Sequence, residues 1–284
     1  MRTILTAPFP KEIKGIIFTE VVPKLTPEID PTALIRLGTI VRKKNKITLY
    51  KPLTDALRKI QWVKLMAIEA IATDTEISGQ MDSDNLVSYP YGQMRHALSV
   101  TGALFHTKSA VDSIAIFLTD LLRLKAQGGQ RDFKKPEFRK EVDSNDPILW
   151  GRLKGLESWF NDLQLIRDEW IHRSSIRCML INGPSEVGAL PIPKKNIELG
   201  LDAFKEPMTS KHFYSTKQFL DNHYNNLVQL FCKVIERCIE IELVGFTEPP
   251  IDSEVEARLY TFPTMSTQSR VIQKFRVKIG PLGF

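Results

Sequence analysis

The stretch QMRHALSVTGALFHTKSAVDSIAIFLTDLLRLKAQ, residues 93–127, decides the fold class. It contains no proline. Ala97, Val100, Leu104, Val111, Ile114, Leu118 and Leu121 fall on one heptad seam that only Thr107 interrupts, so the spacing predicts a long core helix closed by Gly128-Gly129. Downstream, Asp146-Pro147 supplies an N-cap followed by proline at the first helical position. The third helix that starts there carries Leu149, Leu153, Leu156, Phe160 and Leu163 inward. Arg167 and then Trp170 follow on the same line, so a cation interrupts it. A fourth helix is expected from Thr216 to Val244, with Leu220, Tyr224, Leu227, Phe231, Val234, Cys238 and Ile241 inward and Gly245 as its stop. Upstream, Thr54 reads as the cap of a helix starting at Asp55, with Leu57, Ile60, Lys64, Ile68 and Ile71 at helical spacing until Gly79.

Around these helices the pattern changes. Residues 1–53 are rich in proline and β-branched residues, and TIVRKKNKITLY (39–50) alternates around Lys44-Asn45 like a hairpin. RDFKKPEFRKEVDSND (131–146) holds five basic and five acidic residues, which suggests a solvated, mobile connection. Asn182-Gly183-Pro184 is a stop signal, and GALPIPKKNIELG (188–200) reads as a loop or short hairpin. VEARLYTF and SRVIQKFRVKIG in the tail read as two strands. The expected class is therefore α+β, mainly α. An up-and-down bundle of four long helices (54–245) carries a β-leaning N-terminal arm (1–53) and a C-terminal β-hairpin annex (246–284).

Composition bounds the function. With 284 residues, 43% of them hydrophobic and 25% charged, the chain is neither disordered nor collagenous nor a small disulfide scaffold. Its longest run without Asp, Glu, Lys or Arg is His96–Thr107, 12 residues, against the roughly 18 that suggest a membrane span. The N-terminus has Pro8, Pro10 and Glu12 and lacks the apolar block of a secretory signal, so a cytoplasmic protein is expected. Cys178, Cys232 and Cys238 form no C-x-x-C pair, which supports neither zinc nor disulfides. The net charge of +6 favours polyanions only mildly. Phosphate-loop, dinucleotide-binding and nucleophile-elbow motifs are all absent. Glu169-x-x-His172 has di-iron spacing but no second copy, because His96, His106, His212 and His223 each lack a Glu three residues earlier. No metal and no cofactor are expected.

One segment carries a chemical signal: Leu165-Ile166-Arg167-Asp168-Glu169-Trp170-Ile171-His172-Arg173. Arg167 and His172 stand at R-x4-H spacing with a polar residue directly after the arginine. This resembles the active-site signature of the HEPN superfamily (higher eukaryote and prokaryote nucleotide-binding), helical bundles that are often metal-independent endoribonucleases. The helix HALSVTGALFHTKSAVDSIAIFL (96–118) is similar to the preceding helix of bacterial members, and the resemblance covers roughly residues 54–245. It implies Arg167 and His172 as catalytic residues, with Asp168 in the slot where the family has Asn, Asp or His. It further implies a toxin or defence role on RNA, a homodimer with a composite site, and an antitoxin or defence partner protein.

The residue types suit that chemistry. Histidine moves protons near neutral pH, and arginine presents a permanently charged fork to phosphate oxygens. Asp168 and His172 are i,i+4, so the carboxylate is placed to orient the imidazole. Arg173 and Arg177 add charge for an RNA backbone. Five helical residues turn about 140° and rise roughly 7.5 Å, so Arg167 and His172 of one chain flank a point rather than share it. Two bundles paired across this helix would remove the difficulty. Three plainer readings stand beside this one. The bundle could bind RNA, a nucleotide or a protein without catalysis. It could be an assembly subunit. Arg167 could pair with an acid on a neighbouring helix such as Asp112, while Glu169-Arg173 and Lys108-Asp112 form ordinary i,i+4 pairs.

Overall fold

The computed structural model describes residue 29 and residues 31–79, 90–172, 189–191, 213–244, 255–260 and 272–277. These residues are mainly α-helical. In chain order they form α1 (Pro31–Lys43), α2 (Ile47–Gly79), α3 (Pro90–Leu122), α4 (Pro136–Asn145), α5 (Pro147–Leu153), α6 (Glu157–His172), β1 (Ala189–Pro191), β2 (Phe213–Ser215), α7 (Thr216–Leu243), β3 (Val255–Tyr260) and β4 (Ile272–Val277). β1 pairs antiparallel with β2, and β3 with β4, as two separate sheets. No helix among the described residues is long and apolar enough to cross a membrane. The chain divides into two compact units. One holds α1, α7 from Cys232 onward, and β3 with β4; the other holds residues 48–231, with α3 to α6, the β1–β2 pair and the earlier part of α7.

In the first unit the expected 39–50 hairpin is a helix-turn-helix. Leu37, Ile40 and Val41 are all buried, an i, i+3, i+4 pattern rather than strand alternation. The turn lies where Lys44-Asn45 suggested, but it ends a helix. Asn45 adopts a positive φ of 54°, its N–H reaches Arg42 O at 3.1 Å, and the Lys46 N–H reaches Val41 O at 2.9 Å. Asparagine tolerates this backbone as it would a hairpin turn, which is why the dipeptide alone misleads. The β-leaning arm is thus helical over Pro31–Lys43 and from Ile47, while residues 1–28 and 30 lie outside the described residues. Glu242, buried near the end of α7, holds this turn. Lys46 Nζ meets its two carboxylate oxygens at 2.7 and 2.8 Å, and Lys44 Nζ meets Oε2 at 3.2 Å.

In the second unit α2 begins seven residues before the expected cap at Thr54. Pro52 sits inside this helix near its start, and the Thr54 hydroxyl donates back to Tyr50 O at 3.3 Å instead of capping. The helix stops at Gly79, as its spacing predicts. In α3 the seam residues Val100, Leu104, Val111, Ile114 and Leu118 are buried, and so is Thr107. Thr107 donates to Ala103 O at 2.8 Å, so the one polar interruption is satisfied within its own helix. The helix closes earlier than Gly128-Gly129. Arg123 takes a φ of 53°, and the Leu124 N–H returns to Thr119 O at 2.9 Å.

The charged stretch 131–146 is no loose connection. Phe133, Phe138 and Val142 are buried, and α4 occupies Pro136–Asn145. Phe133 stacks on Phe160 of α6 with ring centroids 4.6 Å apart and planes at 15°, and meets Phe138 edge-on at 5.2 Å. Three apolar side chains among ten charged ones anchor the segment, because each aromatic buries on the order of 150–250 Å². Asp146 then serves two helices. Its N–H closes α4 on Val142 O, and its carboxylate accepts from the Leu149 N–H at 3.0 Å to open α5, with Pro147 at the first position. A short 3-10 turn over Lys154–Leu156 separates α5 from α6. On α7 the expected inward residues Leu220, Tyr224, Leu227, Phe231, Val234 and Cys238 are buried.

Candidate functional site

α6 turns Leu163 and Ile166 into the core and leaves Arg167 and Asp168 part-exposed, at 30% and 40% side-chain accessibility. Asp168 Oδ1 accepts from Gln164 Nε2 at 2.6 Å and from Arg167 Nη1 at 3.2 Å. Partial burial would raise the Asp168 carboxyl. The hydrogen bonds from Gln164 and Arg167, and the charges of Arg167 and Lys134, outweigh that and hold it below the ordinary carboxylate range. The carboxylate is therefore ionised at neutral pH. The other guanidinium donors of Arg167 meet no acceptor among the described residues.

Asp112, the acid considered as a partner for Arg167, pairs instead with Lys108 one turn earlier on α3. Lys108 also reaches Asp132 Oδ2 at 3.3 Å. His172 is the last residue of α6, and the helix is continuous from Arg167 to it, so the backbone keeps the offset of about 140° between them. The side chains of Glu169, Trp170 and His172 lie outside the described residues, as do Arg173 and Arg177. The structure thus joins Arg167 and Asp168 directly. It adds two groups that the sequence reading did not single out. Gln164 had a signal, its i,i+4 spacing to Asp168. Lys134 had none, because its approach depends on the fold of the 131–135 segment.

A second polar cluster lies in the core of the same unit. His96 of α3 is fully buried, with Nε2 2.9 Å from Asp74 Oδ1 on α2 and 3.2 Å from Thr216 Oγ1 at the start of α7. Both contacts use one ring nitrogen, and Nδ1 is buried without a hydrogen-bond partner. A relay of the acid-histidine-hydroxyl kind needs both nitrogens, so this cluster ties three helices together rather than activating a nucleophile. Among the described residues, no three His, Cys, Asp or Glu side chains converge as a metal site would require.

No protein-family model matches the chain, and neither a curated protein nor a solved structure gives a match.

Proposed function

We propose that the protein is a metal-independent endoribonuclease of the HEPN type, a homodimer in which Arg167 and His172 from paired α6 helices line one cleft. The observation that carries this reading is the state of Arg167. It sits part-exposed on a bundle helix, is bonded to the adjacent Asp168, and leaves the rest of its donor fork unengaged among the described residues. A structural arginine of this kind would bridge to a neighbouring helix, whereas Arg167 pairs among the described residues only with Asp168 on its own helix, and Asp112 of α3 pairs with Lys108. The donors that Asp168 leaves over could take a phosphate oxygen in transit. His172 would then transfer protons, with the RNA 2′-hydroxyl as nucleophile.

A non-catalytic RNA-, nucleotide- or protein-binding module is the second reading. It is favoured by the engagement of Asp168 with Gln164 and Arg167, which holds the carboxylate without any need for His172. A toxin or defence role with a partner protein, and a cytoplasmic setting, belong to the first reading. The test is single-stranded RNA incubated with the purified protein beside the same strand with methylated 2′-oxygens. Cleavage of the first alone, leaving 2′,3′-cyclic phosphate ends, supports the enzyme, and a dimer in light scattering supports the composite site. Equal cleavage of both strands contradicts the mechanism, and binding without cleavage selects the module.

A further inference from the structure

Four large apolar side chains of α3 stand in the open: Met94 at 61% exposure, Leu98 at 65%, Phe105 at 52% and Ile116 at 36%. At about 100° per residue they fall within an arc of about 40°, so they form one straight stripe about 33 Å long. Apolar residues scattered singly over a surface need no explanation, but a continuous stripe marks a contact face. α2 stiffens this face from one side. Trp62 stacks on His106 with ring centroids 5.8 Å apart, and Phe105 meets the same imidazole edge-on at 5.4 Å. Lys59 Nζ donates to Ser109 O at 3.1 Å and to Ser113 Oγ at 2.7 Å. Met66 closes on Gly102, its Sδ 3.2 Å from where a Cβ would stand.

We propose that this stripe docks a second copy of the chain, with the two α3 helices antiparallel about a two-fold axis at Phe105. The spacing singles out a second copy. Met94 and Ile116 each stand eleven residues from Phe105, and eleven residues are three helical turns to within about 20°. A two-fold at Phe105 therefore sets that ring beside its own copy and Met94 against the partner's Ile116, the self-complementarity that a two-fold contact requires. Thr101 and Ser109, each four residues from Phe105, are small enough to leave the rings room. Met94 and Leu98, one turn apart, bracket the partner's Ile116. Charge fixes the direction. Arg95 lies toward the N-terminal end of the face and Asp112 toward the C-terminal end, so antiparallel packing brings Arg95 within about one turn of the partner's Asp112. Parallel packing would set like charges together. The inference uses no residue of α6: it adds a contact to the paired α6 helices of the ribonuclease reading and does not depend on them.

The test is light scattering on the full chain at micromolar concentrations, comparing wild type, Phe105→Glu, Met94→Lys, Ile116→Glu and the Met94→Lys/Ile116→Glu double variant. Phe105→Glu is expected to halve the wild-type mass, because it sets two carboxylates against each other at the axis. Met94→Lys and Ile116→Glu should each weaken association about tenfold, and the double variant should restore it, since each new charge then faces its opposite across the two-fold. All variants should melt close to wild type, as changes at exposed positions do. A wild type that is monomeric throughout overturns the proposal and leaves the stripe to a different partner. A Phe105→Glu protein with the wild-type mass also overturns it, and places any self-association on another face. A double variant no better than its parents overturns the antiparallel register. If Phe105→Glu unfolds, Phe105→Cys decides: oxidation should link two chains through position 105, and linkage no faster than in wild type, which has its own three cysteines, contradicts the contact.

Discussion

Trp159 Nε1 on α6 donates a 2.9 Å hydrogen bond to Nδ1 of His223 on α7, inside the core. An indole N–H can only donate, so the accepting nitrogen carries no proton. Burial agrees, pushing the His223 imidazole down from its ordinary 6.5 to about 4. The interaction therefore joins two helices with a neutral histidine and acts as an acid-sensitive lock.

Its pH dependence has a definite sign. Between pH 6.5 and about 4 the unfolded chain binds a proton at His223 and the folded chain does not, so stability falls as pH falls through this window. A shift of this size corresponds to about 3 kcal/mol. His223→Gln keeps an acceptor for Trp159, and its denaturant-unfolding free energy should lose that share of the pH slope. An unchanged slope would show that His223 does not titrate as its burial demands.

Phe133→Ala should destabilise the second unit by about 3–5 kcal/mol, because it empties a fully buried aromatic site between Phe138 and Phe160. Urea denaturation measures this. A change below about 0.5 kcal/mol, the range of surface positions, would return the 131–146 stretch to the status of a solvated connection.

Asp146→Ala removes the carboxylate that accepts from the Leu149 N–H, and a lost N-cap of this kind costs about 1 kcal/mol. Asp146→Asn retains an acceptor oxygen and should recover most of that loss in the same thermal-melt comparison.

How these elements relate to the sequence follows from where each signal resides. α3 and α7 were legible because their apolar residues repeat at helical spacing over many turns, and the Asp146 cap because it is a local hydrogen bond. α1 was not legible, since β-branched Thr39, Ile40 and Val41 beside an Asn turn suit a hairpin equally well; burial of both Ile40 and Val41 decides for the helix. α4 was hidden because Phe138 and Val142 are its only buried residues amid charges. At the candidate site, Arg167 and Asp168 could be read as neighbours on a helix. Which acid Arg167 meets, and the arrival of Lys134 from a segment more than thirty positions away, are tertiary facts.

Asp168 offers a check on the electrostatics of that site without any substrate. Its depressed carboxyl means that its favourable contribution is present above the unfolded value of 3.8 and is lost as pH falls through the folded midpoint. The group is part-exposed, so solvent screening keeps that contribution small. Arg167→Gln should move the Asp168 midpoint upward in a carboxyl-carbon NMR titration. A midpoint that stays in place would mean Arg167 does not hold the carboxylate.

The most direct measurement of the central claim is RNA cleavage in excess chelator by wild type beside His172→Ala. The expected result is chelator-resistant cleavage by wild type that His172→Ala abolishes while its melting temperature stays close to wild type. Cleavage that chelator stops, or that His172→Ala performs at the wild-type rate, would contradict it.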